Sequence, residues 1–154
     1  MKKGFTLIEL LVVIGILAIL LAITLIAINP ARQFGQANDT RKRSDILQIL
    51  NAVHQYVAEN KGTLPAVLTG ATAGTSYDIT GVTGATNLDL CPDLVGTTGK
   101  YMPALPTNPS LNLPNVTTCN ATYTTGYTIA KDALNRITVS AGNDINDTPI
   151  TITR

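Results

Sequence analysis

From Phe5 to Ile28 the chain reads FTLIELLVVIGILAILLAITLIAI, with apolar residues on every side of any helix drawn through it. Such a pattern predicts a helix with no polar face, the kind that sits in lipid or in the middle of an assembly. At about 1.5 Å per residue it would be roughly 36 Å long, enough to cross a hydrocarbon layer of about 30 Å. Asn29-Pro30 interrupts the run, because proline lacks an amide donor and disfavours helix in the residue before it. Beyond it the pattern changes. Ile46, Leu47, Ile49, Leu50, Val53 and Val57 recur at helical spacing and form a single apolar stripe, with Arg41, Lys42, Arg43 and Glu59 largely off it. This predicts an amphipathic helix over about 31–60, stopped by Gly62 and Pro65. Asn38-Asp39-Thr40 has the composition of a helix start and marks a place where the helix could begin afresh.

After Gly62 the helical period is gone. A Thr-, Gly- and Ala-rich stretch predicts a surface loop with one short strand near Tyr77–Thr80. The proline-crowded segment from Leu90 to Asn115 predicts irregular chain ordered by packing. Alternation then returns: Tyr127 and Ile129 around Thr128, Ile137 and Val139 around Thr138, and Ile150 and Ile152 in the final stretch. Three such strands, packed on the stripe from Ile46 to Val57, give a small antiparallel sheet against the end of a long helix, an α+β architecture.

Composition changes this picture little. The chain has 154 residues, enough for one domain plus an anchor. A formal net charge of +1 gives no global electrostatic case for a nucleic acid or an acidic partner. With no Trp and two Phe, the core must rest on aliphatics and Tyr. Two cysteines, Cys91 and Cys119, are free thiols in a reducing compartment and a pair in an oxidising one.

The chemistry that stands out is one acid, Glu9, inside the apolar run. A charge at mid-bilayer costs on the order of 3 kcal/mol, less near an interface. A cleaved secretory signal is a poor account of the run, which is too long and ends without a small-x-small cleavage site. A plain anchor explains its length and leaves Glu9 idle. The surrounding residues, KKGFTLIELLVVIGILAIL, resemble the N-terminus of type IV pilins and of the pseudopilins of type II secretion and competence systems. The match lies in the basic leader, the Gly4–Phe5 junction, Thr6, Glu9 and the long apolar helix.

That resemblance implies a pilin fold. It implies cleavage by a membrane prepilin peptidase between Gly4 and Phe5, then N-methylation of the new Phe5 amine. It further implies that Glu9 of one subunit meets the Phe5 amine of a neighbour as the filament assembles. A paired buried charge is tolerated where an unpaired one is penalised, so the pair would set axial register more than stability. The division expected is a leader over 1–4, a transmembrane and assembly helix over 5–29, an amphipathic helix over 30–61 and a head over 62–154, with Pro30 as the helix break. The family commonly places its proline a few residues earlier. The implied partners are further copies of the chain, the prepilin peptidase, an assembly platform protein, an assembly ATPase and inner-membrane lipid.

The resemblance also sets topology. Lys2 and Lys3 argue for a cytoplasmic N-terminus, but Arg32, Arg41, Lys42 and Arg43 lie close beyond the other end, so positive charge alone leaves orientation undecided. The family places the N-terminus inside and exports the head. Cys91–Cys119 then reads as a disulfide, with two free thiols as the alternative. Closing a loop of about 28 residues, it would stabilise the head by ~3 to 4 kcal/mol on the chain-entropy model.

The function expected is therefore a structural subunit of a surface filament serving adhesion, motility or DNA uptake, with no catalytic constellation. The alternatives are a pseudopilin and a membrane-tethered binding module that never polymerises. Other features carry less. Arg41-Lys42-Arg43 suits a solvated face or contacts between subunits better than a nucleic-acid site. His54 has no second His or Cys nearby and reads as a partly packed helix residue. Asn143, Asp144, Asn146 and Asp147 offer hard oxygen donors of the kind that hold calcium, but without a spaced bidentate Glu the cluster reads as a turn. No cofactor is expected. The N-x-Thr triplets at Asn38, Asn115, Asn120 and Asn146 are what chance supplies in a chain this rich in Asn and Thr.

Overall fold

The computed structural model describes residues 4–96, 100–120, 122–142, 144–145 and 148–154. It divides into two compact units, Met1–Phe34 and Gly35–Arg154. The first helix, α1, spans Leu7–Ala27. Its mean hydropathy is 3.2, and none of its residues is buried within the chain. Ile28 leaves helical geometry with φ −96° and ψ 97°.

The second helix, α2, spans Pro30–Glu59. Pro30 is its first residue, where a missing N–H is harmless because no carbonyl would have received it. Asn29 caps the start, its side-chain oxygen accepting from the Arg32 amide at 3.3 Å. The helix runs through Asn38-Asp39-Thr40 without the fresh start that their composition suggested.

The head carries a five-stranded sheet in the order β2-β1-β3-β4-β5, with β1 Ser76–Thr80, β2 Asn87–Leu88, β3 Thr124–Lys131, β4 Ile137–Ala141 and β5 Ile150–Thr153. It is mixed where a purely antiparallel sheet was expected. β2 runs parallel to β1, and the other pairs are antiparallel. Alternation decides the faces. In β3, Thr125, Tyr127 and Ile129 are buried, with Gly126 and Thr128 between them, and in β4 Ile137, Val139 and Ala141 are, with Thr138 and Ser140 between them. Ile46, Ile49, Leu50, Ala52 and Val53 of α2 share one buried cluster with Ile79, Tyr127, Ile129, Ile137 and Val139.

The loops before β3 are ordered as expected, through burial of Leu90, Leu94, Val95, Met102, Leu105 and Val116 in the same cluster. They also form two one-turn helices, α3 (Ala66–Thr69) and α4 (Cys91–Leu94), which periodicity did not show. Cys91 and Cys119 form a disulfide with their Cα atoms 5.3 Å apart. Gly126, within β3, has φ +70°, and a Cβ there would lie 2.7 Å from Leu111 Cδ1 and 3.0 Å from Asn108 Cβ. Only glycine lets the Pro109–Leu111 turn lie against the strand at this point.

The structure corrects the reading of Arg41-Lys42-Arg43. Arg41 and Arg43 are exposed, but Lys42 is 1% exposed and faces the head. Its ammonium donates to the Gly142 carbonyl at 2.8 Å and to Asp144 Oδ1 at 2.5 Å. Asp39 and Asp45 are buried on the same side of α2. A buried charge survives when it is paired and fully hydrogen-bonded, and Lys42 has both kinds of partner.

Candidate processing and assembly site

Gly4 and Phe5 precede α1, and Phe5 is 85% exposed. A Cβ added at Gly4 would meet nothing within 4 Å, so no packing among the described residues calls for glycine at this position.

Thr6 is the N-cap of α1, with φ −79° and ψ 153°. Its hydroxyl oxygen accepts from the Glu9 amide at 3.3 Å. Glu9 replies: its Oε2 accepts from the Thr6 amide at 2.8 Å and from the Thr6 hydroxyl at 2.8 Å. This is a capping box, in which two amides of the first turn that lack helical acceptors are satisfied reciprocally. A negative side chain in the first turn also meets the positive end of the helix dipole.

The capping box explains how an acid is tolerated at the head of an apolar helix. Among the described residues, the carboxylate is held by backbone and hydroxyl donors without a cation. All three contacts of the box use Thr6, and on the Glu9 carboxylate both fall on Oε2. The carboxylate is solvent-exposed, and among the described residues its Oε1 remains open to a further donor. A cation from elsewhere can approach without dismantling the cap.

The other residues picked from the sequence lie apart from this site. Pro30 opens α2, and the Cys91–Cys119 bridge lies in the head. His54 lies on the half of α2 that packs in the head, and its Nε2 is buried with no hydrogen-bond partner among the described residues. Of the four residues weighed for calcium, Asn143, Asn146 and Asp147 lie outside the described residues. Asp144 is engaged by Lys42, by Asn38 Nδ2 at 3.0 Å and by the Ser110 hydroxyl at 2.9 Å. These donors, the Lys42 ammonium foremost, hold its carboxyl below the ordinary aspartate range. Among the described residues there is no group of three or more His, Cys, Asp or Glu able to hold a metal ion.

Two features escaped the sequence reading, and both left a signal. Asn29-Pro30 is a cap followed by a first-turn proline, so the dipeptide marks a helix start as well as a break. Asp39, Lys42 and Asp45 continue the stripe of Ile46, Ile49 and Val53 backwards at spacings of three and four. A search for apolar residues alone ends the stripe too soon.

Residues 1–25 match the family model described as the prokaryotic N-terminal methylation motif. No curated protein and no solved structure matches the chain. One apolar N-terminal helix together with this motif fits a single-pass inner-membrane protein. Over those residues the chain carries the prepilin-type signature of type IV pilins and pseudopilins, a structural family whose members self-assemble after processing by prepilin peptidase.

Proposed function

We propose that the chain is the precursor of a filament subunit of the type IV pilus kind. It is a structural protein, not an enzyme. Prepilin peptidase cuts between Gly4 and Phe5 on the cytoplasmic side and methylates the Phe5 amine. The subunit then waits in the inner membrane, held by α1 with its head exported. An assembly ATPase and platform protein draw it into a homopolymer with α1 inside and the head outside, displayed at the cell surface.

The observation that carries this reading is the Glu9 capping box, seated at the start of a helix whose apolar surface has no partner within the chain. Gly4 adds to it. A glycine that the fold does not need suits a residue read by an outside agent, here the peptidase. Removing the leader takes away Lys2 and Lys3 and leaves a cationic amine at Phe5. A carboxylate and a cation within about 4–6 Å favour each other's charged forms, more so where water is excluded. Glu9 can offer Oε1 to the amine of a neighbouring Phe5 while Oε2 keeps its bonds to Thr6. A subunit one step out of register would leave both charges unmatched among apolar side chains, which is penalised far more than pairing is rewarded.

The test is Glu9→Ala beside Thr6→Ala in cells. Thr6→Ala removes the hydroxyl of the capping box and keeps the carboxylate. Glu9→Ala should insert in the membrane and be cleaved normally but lose nearly all filament recoverable by shearing, while Thr6→Ala retains most of it. Wild-type filament yield from Glu9→Ala would contradict the role given to Glu9, and absence of filament from the wild-type chain itself would favour a tethered, non-polymerising head.

A further inference from the structure

The side of α2 that faces the head changes character along its length. Its buried positions are first Gly35, Asp39, Lys42 and Asp45, then Ile46, Ile49, Leu50, Ala52 and Val53. The second set is held by apolar packing. The first is held by charge and hydrogen bonds, nearly all converging on the connection between β4 and β5. Lys42 donates to Gly142 and Asp144, Asn38 donates to Asp144, and Asp39 accepts from the Asp144 amide at 2.9 Å. Ser110 ties Asp144 to the turn before β3. Gly35 admits this connection closely, since a Cβ there would lie 3.1 Å from Ile145 Cγ1. The polar set ends at Asp45, which accepts from the buried Tyr127 hydroxyl at 2.7 Å.

The stretch from Gln36 to Ser44 mixes good helix formers (Gln36, Ala37 and the basic triplet) with poor ones (Asn38, Asp39, Thr40 and Ser44), and the Thr40 hydroxyl bonds back to the Gln36 carbonyl at 2.8 Å. At nine residues it is too short to hold a helix in water by itself, so contacts outside it matter.

We propose that Lys42, Asp39 and Asn38, with Gly142 and Asp144 after β4, form a releasable clasp that keeps α2 helical across residues 36–44. When the clasp opens, that stretch leaves the head and unwinds, while Ile46–Val53 stays packed and the sheet stays intact. The opened stretch would be roughly 16 Å longer than the helix it replaces, from about 1.5 Å to about 3.3 Å of rise per residue. In a filament of the kind proposed above, should one form, the clasp is a point of give on the head side of Pro30.

Amide hydrogen exchange on the full chain in detergent micelles, where no filament forms, tests the clasp apart from the filament reading. Asp144→Ala removes the carboxylate on which the ties converge. It should speed exchange of amides 36–44 by about tenfold or more and leave amides 47–56 and the sheet at wild-type rates. Gly35→Ala, which crowds Ile145 and removes no charge, should produce the same pattern more weakly. Equal acceleration of both halves of α2, or loss of the folded head in Asp144→Ala, would show the contacts to be part of the global core. No change in 36–44 in either variant would show that the helix there needs no clasp.

Discussion

Leucine, isoleucine and valine fill both α1 and the head, yet they meet opposite fates. In α1 every one is exposed within the chain, Leu17 and Leu20 at mid-helix included, whereas Ile46, Ile49 and Leu50 in the head are fully buried. Burying one such side chain is worth about 1.5–3 kcal/mol. The head completes its core from its own sequence. α1 leaves the same chemistry unsatisfied along its whole length, so its stable surroundings must come from outside the chain. The difference teaches that the head's stability is internal to the chain, whereas α1 is built for surroundings the chain does not supply.

Substitutions can break that comparison. The largest expected effect is in the head: Ile49→Ala should lower unfolding free energy by about 2–5 kcal/mol through lost burial and a residual cavity. Leu17→Ala in α1, the same kind of truncation, should leave head unfolding unchanged. Chemical denaturation followed by tyrosine fluorescence reads both, and a matching loss from Leu17→Ala would mean α1 contributes to the head's fold. Next in size is the disulfide. Cys91→Ser with Cys119→Ser should cost ~3 kcal/mol on the same assay. Tyr127→Phe is smaller, about 1–3 kcal/mol, because it leaves a buried Asp45 oxygen without its donor.

Acid sharpens the comparison further, through Asp45 and Asp144 in the head. Burial pushes Asp45 up, against the lowering effects of the Tyr127 hydroxyl and Arg41. The folded state therefore binds this proton more readily than the unfolded one. Asp45 is a burden at neutral pH that eases as pH falls through its raised value, down to the ordinary aspartate pKa of about 3.9. Asp144 has the opposite sign. Its lowered pKa gives a stabilisation present above about 3.9 that is lost as pH falls through its folded value. Asp45→Asn should thus flatten the gain on mild acidification, and Asp144→Asn the loss in stronger acid, in urea midpoints recorded from pH 7 to pH 3.

Most of the architecture can be read from pattern. α1, the apolar half of α2 and strands β1, β3, β4 and β5 all announce themselves by period. β2 does not, because a two-residue strand is created by its neighbour and carries no period of its own. Its parallel pairing to β1 turned the expected antiparallel sheet into a mixed one. The one-turn helices α3 and α4 escape for the same reason. Lys42 was placed in solvent because charge is a reliable mark of the surface except where a partner far along the chain neutralises it, and Asp144 is 102 residues away. At the N-terminus the residues of the site stand within six positions of one another, so Gly4, Phe5, Thr6 and Glu9 were legible together. The Thr6–Glu9 capping box left a signal there too, a threonine with a glutamate three residues on, which the sequence reading did not take up and the geometry supplied.

The most direct test of the account is the intact mass and N-terminal sequence of the protein recovered from sheared surface material and from membranes. The account predicts a chain beginning at N-methylated Phe5 in both fractions. A chain that still begins at Met1, or one cut beyond Ala27 with α1 removed, would contradict it.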